Sequence, residues 1–192
     1  ARSAGSQFLL RVEDLDPVAA RREVEEAQLA DLAALGLDHD GPVVRQSERT
    51  HLYHAAIATL ESRGLTYPCW CSRREVQAAA AAPHEHLPEG AYAGTCRDLS
   101  AAEVAEREAS GRPAALRLLA GGPTVTVVDA LAGPVTMVVD DFVIRRGDGT
   151  PAYNLAVLVD DDAQQVEQVV RGDDLLAGTP RQVHLARLLG LS

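Results

Sequence analysis

Short apolar runs alternate with apolar stripes of helical period along the chain, and together they predict a mixed α/β order. Residues 6–12 (SQFLLRV) read as a buried strand that ends in the carboxylates Glu13, Asp14 and Asp16, just before Pro17. From Ala19 to Leu35, Val24, Ala27, Leu32 and Leu35 recur at helical spacing, and Gly36 is a stop signal. A turn at Asp40-Gly41-Pro42 precedes a second helix, Thr50 to Arg63, with Leu52, Ala55, Ala56 and Leu60 as its expected buried face and Gly64 at its end. Leu65 to Trp70 is a short strand leading into the cysteines. Ser72 with Glu75, and Ser100 with Glu103, have the spacing of capping boxes and predict helices over 72–82 and 100–110, with an irregular loop from Pro83 to Gly94 between them. Four short strands are expected at 114–118, 124–129, 135–139 and 142–145, separated by Gly-Gly-Pro, Ala-Gly-Pro and an Asp pair. Tyr153 to Val159 suits a strand or a helix equally, and Val166 to Arg171 reads as a strand. Thr179-Pro180 marks a helix start, with Thr as N-cap and Pro at the first helical position, running to Leu189 and stopping at Gly190. This order fits a split α/β domain with an inserted unit better than a bundle or a sandwich.

With 192 residues, 46% of them hydrophobic, the chain can build one good core and a small inserted unit. No apolar run approaches a membrane span and nothing resembles a signal peptide, so a soluble, cytoplasmic protein without a membrane partner is expected. All eighteen basic residues are Arg, so no step requiring a lysine ammonium can come from this chain alone. The net charge of −10 argues against a broad basic face for nucleic acid. Arg21-Arg22, Arg73-Arg74 and Arg145-Arg146 remain as local positive positions, and each reads more simply as a solvated helix or strand edge.

Cys69, Cys71 and Cys96 are the only cysteines and lie close together. An odd number makes a poor disulfide framework, whereas three clustered thiolates suit tetrahedral zinc completed by a fourth ligand. His84, His86 and Tyr92 are the candidates in reach. Glu13, in the run RVEDLD, stands where open α/β sheets present ligand-binding groups and is suited to an amino group. Arg171 follows the apolar run VEQVV and can clamp a carboxylate bidentately, or simply pair with Asp173 or Asp174. Tyr153 is by itself an ordinary amphipathic side chain.

The pieces FLLRVEDLD, LDHDGPVVRQSER, YPCWCSRREV, YAGTCR, DDFVIRRGDGTPAYNLAVLVDD and VVRGDDLLAGTPRQVHLARLLG, in that order, resemble the glutamyl-Q tRNA(Asp) synthetase family, short paralogues of glutamyl-tRNA synthetase. The resemblance covers nearly the whole chain. It implies a class I Rossmann-type catalytic domain split by a zinc-bearing insertion: residues 1–68 as the first part, 69–118 as the insertion and 119–192 as the rest. It implies activation of L-glutamate with ATP and magnesium, then transfer to the queuosine base of tRNA(Asp), with one structural zinc; a monomer is expected. By position, Glu13, Tyr153 and Arg171 match the family's glutamate-binding residues, and Cys69, Cys71, Tyr92 and Cys96 its zinc ligands. Tyr153 should then open a helix.

Two features depart from the family pattern. The ATP-binding signatures are absent, and the family layout places the HIGH-type motif just before Ala1 and the KMSKS-type loop just after Ser192. No catalytic residue is therefore assigned within the chain. The stretch between Cys71 and Tyr92 is also longer than usual and contains His84 and His86. Two other readings compete: the core of an ordinary glutamyl-tRNA synthetase charging tRNA(Glu), and a non-catalytic synthetase remnant that keeps zinc or RNA binding.

Overall fold

The structure is a computed structural model that describes residues 1–16, 18, 20–80 and 91–191. The chain divides into two compact units, Ala1–Leu52 and Tyr53–Ser192.

In the first unit, strand β1 (Arg11–Val12) pairs in parallel with β2 (Val44–Arg45), and helix α1 (Arg22–Ala34) lies in the connection. Parallel neighbours require such a crossover. The run expected as a strand from residue 6 is paired over only two residues. Its preceding part is nevertheless tied to the returning chain, because Asp40 N–H donates to Phe8 O at 2.7 Å and Val44 N–H to Leu10 O at 3.0 Å. Helix α1 starts at Arg22, after Arg21 in an extended conformation, rather than at Ala19, and is followed by Gly36 at φ 70°. Arg45 binds Glu25 of α1 through Nε at 2.9 Å and NH2 at 2.5 Å, which fastens the helix to β2.

Helix α2 (Thr50–Ser62) contributes Tyr53 onward to the second unit. Its buried residues are Tyr53, Ile57 and Leu60, whereas Ala55 is exposed. The expected face is thus rotated, because Tyr and Ile remove more apolar area from water than Ala does. The Tyr53 hydroxyl donates to Asp160 at 2.7 Å, joining α2 to helix α5 (Tyr153–Ala163) deep in the core. The segment that suited strand or helix is therefore a helix opened by Tyr153.

Strands β3 (Thr66–Cys69), β4 (Ala115–Leu118) and β7 (Val143–Arg145) form an antiparallel sheet with β4 in the centre. Strands β5 (Thr124–Asp129) and β6 (Gly133–Val138) form a separate hairpin. Helices α3 (Arg73–Ala80) and α4 (Ala101–Ala109) both begin at the expected capping boxes. Ser72 Oγ accepts from Glu75 N–H at 3.2 Å while Ser72 N–H donates to Glu75 at 2.6 Å, and Ser100 with Glu103 repeats the pattern. The rest of the predicted loop up to residue 90, including His84 and His86, lies outside the described residues.

Residues 166–171 are not a strand. Val169 and Val170 are exposed, and no described neighbour forms a ladder with them. An apolar run becomes a strand only where an adjacent backbone takes up its hydrogen bonds. A 3₁₀ helix at Asp173–Gly178 then leads into α6 (Thr179–Leu189), where Gly178 takes the cap position expected for Thr179. Helix α6 ends at Gly190 with φ 71°, a left-handed conformation that glycine adopts without steric cost. No helix among the described residues is long and apolar enough to cross a membrane.

Candidate metal centre and amino-acid site

Strand β3 ends at Cys69, and the chain turns through Trp70 and Cys71 before the α3 capping box. The segment 91–96 returns against this turn. Tyr67, Cys69, Trp70, Tyr92 and Cys96 form one buried cluster, packed by Val76, Leu99, Val104 and Leu119. Trp70 Nε1 donates to Arg112 O at 3.1 Å, closing the outer edge.

Within this cluster the Sγ atoms of Cys69, Cys71 and Cys96 all lie within 4.8 Å of one another. Cys71 Sγ is 3.6 Å from Cys96 Sγ, and Tyr92 Oη lies 3.4 Å from Cys69 Sγ and 3.8 Å from Cys71 Sγ. Zinc–sulfur bonds near 2.3 Å and a zinc–oxygen bond near 2.0 Å, arranged as a tetrahedron, give ligand–ligand edges of about 3.5–3.8 Å. These three distances match such edges, so the cluster of Cys69, Cys71, Cys96 and Tyr92 is compatible with a zinc site.

Burial also governs the acidities of these groups. Burial, with the neighbouring Cys69, holds the Tyr92 hydroxyl well above the ordinary phenol range. Burial and the neighbouring Cys69 push the Cys71 thiol up to about 12. Burial would raise Cys69 too, but the Tyr92 hydroxyl and the Arg117 guanidinium outweigh it and leave that thiol below its usual value. A bound dication reverses this logic and favours the deprotonated ligands. The Cys96 N–H already donates to Tyr92 Oη at 2.8 Å, which fixes that oxygen over the thiols.

Two adjacent carboxyl groups hold the cluster in place, and both are buried. Asp140 accepts from Tyr92 N–H at 2.9 Å and from Arg181 Nε of α6 at 2.7 Å. Asp141 accepts from the Tyr67 hydroxyl at 2.6 Å, from Arg97 Nε at 2.7 Å and from Ala120 N–H at 2.9 Å. Its own carbonyl accepts from Arg117 NH1 at 2.8 Å. The sequence reading treated this Asp pair only as strand punctuation and missed Arg97, Arg117 and Arg181. Two carboxyl groups between Val138-Val139 and Phe142-Val143 were the available signal, since buried carboxyls demand several donors.

The amino-acid candidates fall in both units. In the first, Glu13 follows β1 and is exposed on a surface cleft of about 640 Å³. Its acidic neighbours have local tasks: Asp14 accepts from Ser47 N–H at 2.8 Å and from Ser47 Oγ at 2.5 Å, and Asp16 caps Val18 N–H at 3.0 Å. In the second unit, Tyr153 is the first residue of α5 and is 45% exposed. Arg171 is half-buried; NH1 donates to Gln182 Oε1 at 2.8 Å and NH2 to Thr179 Oγ1 at 2.5 Å. Gln182 in turn donates to Asn154 at 3.3 Å, so the start of α6 links Arg171 to the start of α5. Arg171 pairs with neither Asp173 nor Asp174, the simpler partners its sequence neighbourhood offered.

Residues 1–192 match the family model of class I tRNA synthetases (E and Q), catalytic domain, and the chain belongs to that family. Among its relatives, it is 63% identical over 191 residues to a glutamyl-Q tRNA(Asp) synthetase of Nocardia farcinica, covering 100% of this chain and 60% of that protein. It is 52% identical over 192 residues to the protein of the same name from Cutibacterium acnes, covering 99% of this chain and 54% of that one. The chain thus spans between about half and two thirds of these relatives' length. A solved glutamate tRNA ligase from Elizabethkingia meningosepticum, in complex with its amino acid, superposes with a TM-score of 0.79 at 24% identity, covering 98% of this chain and 41% of that one. That likeness shows the fold.

Because Asp141 collects three donors in the core, Asp141→Ala is expected to destabilise the protein by about 3–5 kcal/mol, the range for breaking a buried pair from one side. Glu26→Ala, which removes only the exposed pair with Arg22, should change stability by less than about 0.5 kcal/mol. Chemical denaturation of both variants checks the contrast; a loss below 1 kcal/mol for Asp141→Ala, on the scale of that exposed pair, would contradict the hub assignment.

Proposed function

We propose that the protein activates L-glutamate with ATP, assisted by magnesium, and transfers the glutamyl group to the queuosine base of tRNA(Asp). The observation that carries this reading is the 63% identity to the Nocardia farcinica protein named glutamyl-Q tRNA(Asp) synthetase, sustained over the chain. A second support is the fourth member of the thiol cluster. Tyr92 takes that place in this reading: its hydroxyl lies beside the Cys69 thiol, and the resemblance to the queuosine-directed paralogue gives it as a zinc ligand.

In this reading Arg171 pairs with a carboxylate of glutamate, and Tyr153 and Glu13 act on its amino end. Glutamine differs from glutamate by a neutral amide. A guanidinium rewards the charged group and is left unpaired by the amide, which gives large discrimination. Gln182 and Thr179 orient the fork, so that little rotamer freedom is lost on binding.

Residues 69–118 are read as the zinc-bearing insertion, with one structural zinc held by Cys69, Cys71, Cys96 and Tyr92. A closed four-ligand site supplies folding free energy to a loop region too small for its own core. Metal analysis should find one zinc per chain. Tyr92→Phe should lower zinc affinity by about tenfold or more, on the scale of losing a shell interaction. Unchanged affinity would transfer the fourth position to a histidine, His84 or His86, and absence of stoichiometric zinc would remove the metal altogether.

The acceptor is tested with a version of the protein that carries both ATP motifs. It should glutamylate tRNA(Asp) containing queuosine and leave tRNA(Glu), and tRNA(Asp) with guanosine at that position, unmodified. Charging of tRNA(Glu) would instead assign the chain to an ordinary glutamyl-tRNA synthetase. In the same assay Arg171→Lys should raise the KM for glutamate by about tenfold or more, since the planar fork is lost. An unchanged KM would displace Arg171 from the amino-acid site.

A further inference from the structure

Arg117 stands in β4, opposite Tyr67 in the ladder and beside the Cys69–Ala115 pair, and only 7% of its surface is exposed. A guanidinium withdrawn from water to this degree is costly unless an anion accompanies it. Among the described residues Arg117 forms no ion pair with a carboxyl group. NH1 donates to the main-chain carbonyl of Asp141, whose side chain is already committed to Tyr67, Arg97 and Ala120. Its Nε is buried with no hydrogen-bond partner. What faces the cation is the ring of Tyr92, whose centroid is 3.6 Å from Cζ, while Cys69 stands two residues beyond Tyr67, its partner in the ladder.

The proposed ligand set supplies the anion that Arg117 lacks. Three thiolates and one phenolate exceed the charge of a zinc dication by two, and this excess would sit in a buried cluster. We infer that Arg117 is the counter-cation of the zinc centre: a positioning residue that offsets the anionic excess of Cys69, Cys71, Cys96 and Tyr92 and holds the Tyr92 ring against which it lies. The inference rests on the zinc reading. It explains why a buried arginine occupies the central strand at a position where an apolar residue would pack without penalty. It also gives the site a preference for an anionic fourth ligand, since a neutral imidazole would leave the guanidinium less fully compensated. The dependence is mutual: the metal cluster stabilises the buried cation, and the cation stabilises the loaded cluster.

The test compares the parent chain with Arg117→Met, Arg117→Gln and Arg117→Lys. Zinc affinity is measured by competition with a chromophoric chelator, and far-UV circular dichroism reports folding. The neutral variants should bind zinc about 10–100-fold more weakly, the usual range for losing a partner of the ligand shell. Arg117→Lys, which keeps the charge, should bind more tightly than either. Parental affinity in Arg117→Met or Arg117→Gln overturns the inference, and so does a lysine variant no better than the glutamine one, which would reduce Arg117 to shape and packing. Should the neutral variants fail to fold, Arg117→Lys decides alone: affinity within about tenfold of the parent supports the inference and a larger loss overturns it. If the parent itself takes up no stoichiometric zinc, the metal reading falls and this inference with it. If the parent binds zinc and the Arg117→Gln variant binds it equally well, only the inference falls.

Discussion

The second unit depends on the burial of two adjacent carboxyl groups, Asp140 and Asp141, between apolar residues of β6 and β7. Side chains of this kind are tolerated in a core only when donors surround them, because desolvation otherwise outweighs what packing returns. Those donors come from separated parts of the chain. Arg181 arrives from α6, Tyr92 and Arg97 from the returning segment, Tyr67 from β3, and Ala120 from the segment just after β4. Each of these elements is thus placed relative to the same two residues. The thiol cluster inherits its geometry from them, since the Tyr92 backbone is fixed by Asp140 and Tyr67 beside Cys69 is fixed by Asp141.

This arrangement separates two functions of the arginines. Arg97 and Arg181 neutralise carboxyl groups, as guanidinium groups in protein interiors usually do. Arg117 does not, and it lies over the aromatic face of Tyr92. A chain without lysine must perform every cationic task with arginine, whose planar fork suits both the carboxyl contacts and the stacking over Tyr92. Arg171 is held through hydrogen bonds to two neutral side chains, Gln182 and Thr179, and its charge acts on the Asp129 carboxylate.

Local signals in the sequence were readable where the physics was local. Both capping boxes, the four-strand stretch from 114 to 145, the helix opened at Thr179-Pro180 and the clustering of Cys69, Cys71 and Cys96 follow from spacing within a few residues. Readings that depended on distant partners fared worse. Residues 166–171 lack a neighbouring backbone to pair with, and the apolar run alone could not reveal that. The buried face of α2 turned on Tyr53 reaching Asp160, more than a hundred residues away in sequence. The Asp140-Asp141 hub was invisible for the same reason: its donors are scattered from Tyr67 to Arg181. Tyr92 could be chosen over the histidines only through family resemblance, because spacing alone admitted all three. Its hydroxyl now lies against two of the three thiols.

The most direct measurement of this account is the X-ray absorption spectrum of the zinc-loaded protein at the zinc edge. The arrangement of Cys69, Cys71, Cys96 and Tyr92 predicts three sulfur scatterers at about 2.3 Å and one oxygen at about 2.0 Å, with the oxygen lost in Tyr92→Phe. A first shell with the multiple-scattering signature of imidazole, unchanged in Tyr92→Phe, would contradict it.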